Sequence, residues 1–282
     1  MKNEGLDPDR AQTSPHRCDT ERFHRDAVSS AILLMRADPS ANLELETLAK
    51  TATMSKFHFL RVFEELTSVS PARFLASLRL ERAKRLLLET SLPITTVVLE
   101  VGYNSVTTFT RLFTAFVGAN PTVFRARYQE FAQLSISDLV EHQSDTAPAS
   151  HMLFRLRIIV TPPPPFEGCV FLGLFPSSVP RGRPIIGTLL SGKLKTDLVV
   201  PSTFTSAFLL AAGFRREVSM KSYFLPPEES TLVGAVAVRR IGAGADLRIS
   251  LRPQVLFDPP IVIALPLLLI DTKRPGNKPI GR

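Results

Sequence analysis

The chain is poor in the residues on which most catalytic and metal chemistry depends. It has two cysteines, Cys18 and Cys169, too far apart in sequence for a metal-binding spacing or a redox pair. Two isolated thiols suit a reducing compartment, and both are expected to be inert. Its five histidines stand at 16, 24, 58, 142 and 151, with none beyond. The later half therefore lacks the commonest general base and nearly all metal chemistry. No G-x-S-x-G elbow and no phosphate-cradling loop is present. Glu228 and Glu229 are adjacent in a loop-like stretch and define no acid–base pair. These absences argue against an enzyme and against a bound cofactor or metal. Long apolar runs are missing as well. IVIALPLLLI at 261–270 is too short to span a bilayer and is broken by Pro266. The first residues, MKNEGLDPDRAQTSPHR, hold no apolar stretch of the signal-peptide kind. A cytoplasmic protein without membrane contact is expected.

What is present is a surplus of positive charge. The formal net charge of the 282 residues is +8, which favours acidic partners, nucleic acid first among them. The surplus is spread: residues 1–131 carry 17 Lys and Arg against 15 Asp and Glu, and residues 132–282 carry 17 against 11. Basic tails and loops account for it as well as a binding groove does. At this length about two domains are expected.

The character of the chain changes along its length. Residues 1–20 are polar and aperiodic, as in a disordered arm. From 21 to 131 the pattern is helical, and the prolines at 39, 71, 93 and 121 fall where helices should start or stop. Residues 132–165 read as a linker that ends in the proline run of VTPPPPFEG. From 166 to 272 short apolar runs alternate with Pro/Gly/Ser turns: GCVFLGLF, PIIGTLL, TSAFLLAAG, TLVGAVAV, ADLRISLRP, IVIALPLLL. MLFRLRIIV, just before the prolines, has the same character. This spacing suggests an all-β sandwich or barrel, and DLRISL alternates as a half-buried strand should. Residues 273–282 read as a flexible tail. The expected fold is an all-α domain followed by a sandwich-like all-β domain.

The helical half repeats itself. SKFHFLRVFEEL at 55–66 and SVTTFTRLFTAF at 105–116 share Phe, Arg and Phe at a constant offset: Phe59, Arg61 and Phe63 align with Phe109, Arg111 and Phe113. At 100° per residue, Phe59, Val62, Phe63 and Leu66 fall on one face of a helix, and Phe57, Leu60, Arg61 and Glu64 on the other. In the second copy Phe109, Leu112, Phe113 and Phe116 face the core, while Thr107, Thr110, Arg111 and Thr114 point away. A short helix precedes each copy, LETLAKTA at 45–52 and ITTVVLEV at 94–101. The turns between are tight. Gly102 suits the left-handed position that ends a helix, and Ser55, then Asn104 or Ser105, suit the following N-cap. Short helix, tight turn and amphipathic helix make a helix-turn-helix, here twice. Between the copies, Ser70-Pro71 opens a run of about twenty residues, or about 30 Å of helix, close to the ~34 Å of one B-DNA turn. Asn120-Pro121 opens a closing helix. The alternative is a plain bundle with two similar hairpins. It leaves unexplained an outward face of arginine and threonine, which are suited to base edges.

These residues resemble the AraC/XylS family of bacterial transcription regulators over roughly 25–128. The elements occur in order: SP before a linker helix, RLERAKRLLLET within it, I-x-x-V-x-x-E-V-G-Y opening the second unit, F-x-R-x-F in its recognition helix, and NP before the last helix. The resemblance implies a seven-helix domain whose two recognition helices enter successive major grooves. The implied DNA-contacting set is Lys56, Phe57, Leu60 and Arg61, with Val106, Thr107, Thr110 and Arg111; Val106 rests on the resemblance alone. Implied partners are double-stranded DNA, RNA polymerase, a small-molecule effector and a second copy of the chain in a homodimer. The chain departs from the family pattern at three positions. Thr53 and Ser68 stand where glycine is usual, and Val98 where a small alanine is. A slightly altered geometry with the fold kept is expected. The order of domains is the reverse of the common one. The later domain is loosely similar to the transthyretin-like sandwich of carboxypeptidase regulatory domains, though Ser202 and Thr203 replace the usual glycine after its VP turn.

Several side chains have two readings. Phe57 meets a thymine methyl or packs on the segment before the first unit. Arg79, Arg82, Lys84 and Arg85 on the linker helix are solvated, paired with Glu81 and Glu89, or, for Lys84 and Arg85, set against phosphate. Arg125 and Arg127 are read the same way, and His58 as a polar contact. Arg215-Arg216 and Arg239-Arg240 mark solvated loops and strand ends, or an anion site. The alternative to a regulator is an enzyme or ligand-binding β-domain with the helical part accessory.

Overall fold

The computed structural model describes residues 15–141, 153–182, 184–201, 206–216, 218–239 and 246–270. The first part of the expected arm, the tail at 273–282, and Ser202 and Thr203 lie outside the described residues.

The helical half runs α1 (Pro15–Ala37), α2 (Leu45–Thr51), α3 (Lys56–Thr67), α4 (Pro71–Glu89), α5 (Ile94–Glu100), α6 (Val106–Val117), α7 (Pro121–Phe131) and α8 (Ile136–Glu141). The arm drawn to residue 20 ends earlier, because α1 opens at Pro15, a residue suited to a first helical turn. The polar first turns hide this helix from an apolar-period reading; its buried stripe, Val28, Ile32 and Met35, comes later. The caps are local and follow the sequence. Ser70 accepts from the Arg73 amide and Asn120 from the Val123 amide, each just before the proline that starts α4 or α7.

Each helix-turn-helix unit closes around phenylalanine. In the first, the Phe63 ring meets Phe59 and, edge-on at 5.6 Å, Phe74 of α4. In the second, Phe113 is 5.5 Å from both Phe109 and Phe124 of α7. Val98, in place of a small residue, is taken up in this core and is buried.

The strand-rich half comprises β1 (Leu153–Thr161), β2 (Gly168–Phe175), β3 (Ile186–Ser191), β4 (Lys195–Pro201), β5 (Ser206–Arg215), β6 (Leu232–Arg239), β7 (Asp246–Ser250) and β8 (Arg252–Pro253). Two sheets form, in the orders β4-β1-β7 and β3-β2-β5-β6-β8. Their facing residues, including Ile158, Val200 and Ile249 from one and Val170, Leu174 and Leu209 from the other, share one core. β7 shows the expected alternation, with Leu247 and Ile249 buried between exposed Asp246, Arg248 and Ser250.

Two boundaries shift. The linker drawn to residue 165 contains β1, the middle strand of its sheet, antiparallel to β4 and parallel to β7. Arg155 and Arg157 alternate with buried Leu156 and Ile158, as in a half-buried strand. The region read as all-β also contains α9 (Met220–Phe224) and α10 (Leu265–Ile270). The run IVIALPLLL was expected to be a strand. Pro266 cannot donate to a ladder, whereas it fits the first turn of α10.

The two halves are not separated by solvent. Phe224 of α9 is fully buried against Phe124, Tyr128 and Phe131 of α7, with ring centroids 5.7, 5.3 and 6.0 Å away. The Ala264 amide donates to the Val117 carbonyl at 3.1 Å. Arg36 pairs with Glu228 at 2.8 Å, and Lys221 with Glu89 at 2.7 Å.

Candidate nucleic-acid interface

The two units reach the same turn from different residues. After α2, Thr53 takes a left-handed φ of 53°; after α5, Gly102 takes 80°. In both, the left-handed residue donates back three positions, Thr53 to the Lys50 carbonyl and Gly102 to Leu99. The next residue donates back five, Met54 to Ala49 and Tyr103 to Val98. This paired closure satisfies the orphan carbonyls of a helix end. At Gly102 glycine is doubly required, since a Cβ would collide with the backbone of Ser40. The second turn holds one residue more before its N-cap. Ser55 accepts from the His58 amide and Ser105 from Thr108, so Ser105 rather than Asn104 is the cap. The C-termini repeat the pairing: α3 ends at Ser68 with φ 61°, and α6 at Gly118 with φ 95°.

The faces divide as helical geometry requires. On α3, Phe59, Val62 and Phe63 are buried, while Lys56, Phe57 and Arg61 are exposed and Leu60 is half-buried. Phe57 is 87 % exposed, so it packs on no neighbouring segment among the described residues. On α6, Phe109, Phe113 and Phe116 are buried, Val106, Thr107 and Arg111 exposed, and Thr110 half-buried. Among the described residues the strand-rich half touches the helical half at the other end of α6 and along α1, α4 and α7, and covers neither outward face.

The charged groups on these faces differ. Lys56 pairs with Glu46 at 2.9 Å, and with Lys50 it holds the Glu46 carboxyl below its ordinary range. Arg61 lies 3.6 Å from Glu65 and 3.4 Å from His58 Nδ1; both partners are on its own helix. His58 in turn meets His24 of α1, Nε2 to Nε2, at 3.2 Å. Arg111 has no ion pair or hydrogen bond among the described residues.

Most of the basic side chains around the linker helix serve the fold. Arg79 donates to the Pro39 and Ala41 carbonyls, and Arg125 to those of Leu87 and Leu92. Arg82 faces Asp38, Arg85 faces Glu81 and Arg127 pairs with Glu130. Lys84 corrects the expectation of a solvated or phosphate-facing residue. It is fully buried, its Nζ 3.3 Å from the Ile261 carbonyl, and burial pulls its ammonium down to about 7. Glu89 pairs with Lys221 rather than along its own helix. The partners of Arg79, Lys84 and Arg125 lie 33 to 177 residues away, and nothing in the local sequence marks them. Cys169 is buried beside the Tyr223 hydroxyl at 3.6 Å, and burial pushes its thiol up to about 11, which keeps it protonated and unreactive near neutrality.

Two left-handed turns, each closed by the same pair of amide bonds and each feeding a serine-capped amphipathic helix, define a helix-turn-helix protein. Residues 48–127 match the family model described as a helix-turn-helix domain. An uncharacterised helix-turn-helix-type transcriptional regulator of Haemophilus influenzae is 33 % identical over 98 residues, 35 % of this chain and 33 % of that protein. The MmsAB operon regulatory protein of Pseudomonas aeruginosa is 34 % identical over 96 residues, 34 % of this chain and 31 % of that protein. The chain thus spans about a third of the length of these curated relatives. The DNA-binding domain of AdpA, a global transcriptional factor solved with a target DNA, is 28 % identical and covers 38 % of this chain and 93 % of that one, with a TM-score of 0.34. These likenesses to helix-turn-helix proteins fall in the helical half. No described helix is long and apolar enough to cross a membrane.

Proposed function

We propose that the protein is a sequence-specific DNA-binding transcription regulator that reads two successive major grooves, one with α3 and one with α6. The observation that carries this reading is the pair of outward faces, alike in construction and both left uncovered. Arg61 and Arg111 occupy equivalent places on them. Arginine suits a guanine edge bidentately, and threonine offers a methyl and a hydroxyl to neighbouring bases. Arg111 meets DNA with no internal partner to break, whereas Arg61 exchanges an exposed pair with Glu65 that is worth little. Lys56, Phe57 and Leu60 on α3, with Val106, Thr107 and Thr110 on α6, complete the contact set. α4 spans 19 residues, about 28 Å of helix, which suits it to hold the two readers about one turn of DNA apart. RNA polymerase and a second copy of the chain are the protein partners this reading adds.

The test is selection from a random duplex library with the full chain, followed by binding of the enriched site against salt. Enrichment of two short motifs about ten base pairs apart is expected. Arg111→Ala should weaken that site by roughly 1–3 kcal/mol and relax preference at one base pair. An equal loss on every sequence would make Arg111 a phosphate contact. Failure of the full chain to bind duplex DNA at low salt would sink the reading.

A further inference from the structure

The strand-rich half contains a cavity of about 420 Å³, within the ~300–1,000 Å³ usual for small-molecule sites. Its floor is the outer face of the five-stranded sheet. Ala212 of β5 and Ala235 of β6 lie there, and their small side chains leave the space open, while the Phe175 ring packs over Gly173 of β2. One wall is the loop after β2, through Ser178 and Pro180; the opposite wall is the segment leading into α10, through Ile261 and Ile263. The surface is mostly apolar. Among the described residues its only ions are Arg252 and Asp258, bonded to each other twice, at 2.6 and 2.7 Å. Asp258 also accepts from the Val255 amide at 2.8 Å. That pair cancels, so the described lining offers a charged guest no counter-charge. Ser178 and Ser250 supply neutral polar groups.

Both walls bear on the last turn of α6. The loop after β2 sets the Arg181 guanidinium 5.0 Å from the Phe116 ring centroid. The segment before α10 gives the Ala264 amide to the Val117 carbonyl at 3.1 Å, and its Ile261 carbonyl receives Lys84 of α4. A guest wedged between the walls presses on the same segments that hold the second helix-turn-helix unit.

We propose that this cavity binds a neutral, mainly apolar small molecule bearing a hydroxyl or carbonyl group, and that occupancy tightens the contact between the strand-rich half and the end of α6. The binding claim does not rest on DNA recognition, because it is tested without DNA. The probe is N-phenyl-1-naphthylamine, a neutral aromatic amine whose emission rises in apolar surroundings, titrated into the full chain. Saturable one-to-one binding is expected. Ala235→Phe should weaken it by about tenfold or more and Ala235→Leu by less, with the melting temperature retained. Should the phenylalanine variant fail to fold, the leucine variant decides. In hydrogen exchange, the probe should slow the amides of Gly118 and Ala264. Uptake that does not saturate, or that is equal in all three proteins, would overturn the site. Saturable uptake with unchanged exchange at Gly118 and Ala264 would overturn the coupling.

Discussion

Thr53 and Ser68 hold, in the first unit, the left-handed positions that Gly102 and Gly118 hold in the second. A Cβ in that conformation costs roughly 1–2 kcal/mol, offset in part by the ~0.5–1 kcal/mol of chain entropy that glycine loses on folding. Both residues are exposed and neither side chain is needed for packing. Thr53→Gly and Ser68→Gly should therefore each raise stability, by up to about 1 kcal/mol, read as a higher midpoint in urea with an unchanged slope. A lower midpoint would mean that the threonine or serine side chain contributes something the structure does not display. Lys84 makes a different demand. Its ordinary value is 10.5 and burial lowers it to about 7; the Glu81 carboxylate works against that shift and the Arg85 guanidinium with it. Between those values the unfolded chain binds the extra proton, so this group's contribution to stability rises with pH, by at most about 1.4 kcal/mol per unit. Cys169 acts in the opposite sense, but only above its ordinary value of 9.0. Stability should thus climb between about pH 7 and 8.5, and Lys84→Met should flatten that climb. An equal slope in both proteins would show that the lysine keeps its proton in the fold.

At the scale of the element, legibility in the sequence tracks how local the cause is. The caps Ser55, Ser70, Ser105 and Asn120 act within three residues, and the amphipathic faces of α3 and α6 follow from spacing alone. Both were readable: Phe57, Arg61, Thr107 and Arg111 are exposed as the spacing required, while Leu60 and Thr110 are half-buried. The departures from glycine at Thr53 and Ser68 were visible as residue types, and the backbone accommodates them by taking the left-handed conformation regardless. What was not readable depended on distant partners. MLFRLRIIV had the character of the other strand-like runs, but its place in the middle of a sheet, between β4 and β7, depended on those partners. α9 is five residues long, too short to stand out by period, and exists as a platform for Tyr223 and Phe224. α10 stands where an apolar run shorter than a typical helix suggested a strand, with its proline as the one signal that could have corrected the reading. The roles of Arg79, Lys84 and Arg125 were misjudged for the same reason, since each caps or braces a carbonyl far away in sequence.

At the scale of the whole molecule, the covered face of the second unit decides how the protein unfolds. Phe124, Phe131 and Val117 share a core with Phe171, Phe214, Tyr223 and Phe224, so neither half completes its burial alone. One cooperative transition is expected. There is no tryptophan, which leaves tyrosine fluorescence to Tyr103, Tyr128 and Tyr223, on both sides of the junction. Tyrosine emission and far-ultraviolet ellipticity should report the same midpoint, and Phe224→Ala should lower it equally for both, through a loss of about 3–5 kcal/mol in stability. Two separated transitions would mean that the halves fold independently.

That junction also bears on how such a chain changes over time. A reading head joined by a loose tether is an exchangeable part, free to be traded between regulators by recombination at the tether. Here the segment between α8 and β1 looks like the natural seam, yet a crossover there would pair Phe224 with a foreign α7 and the Ala264 amide with a foreign α6. Transplants should succeed only when the receiving surface travels with the head.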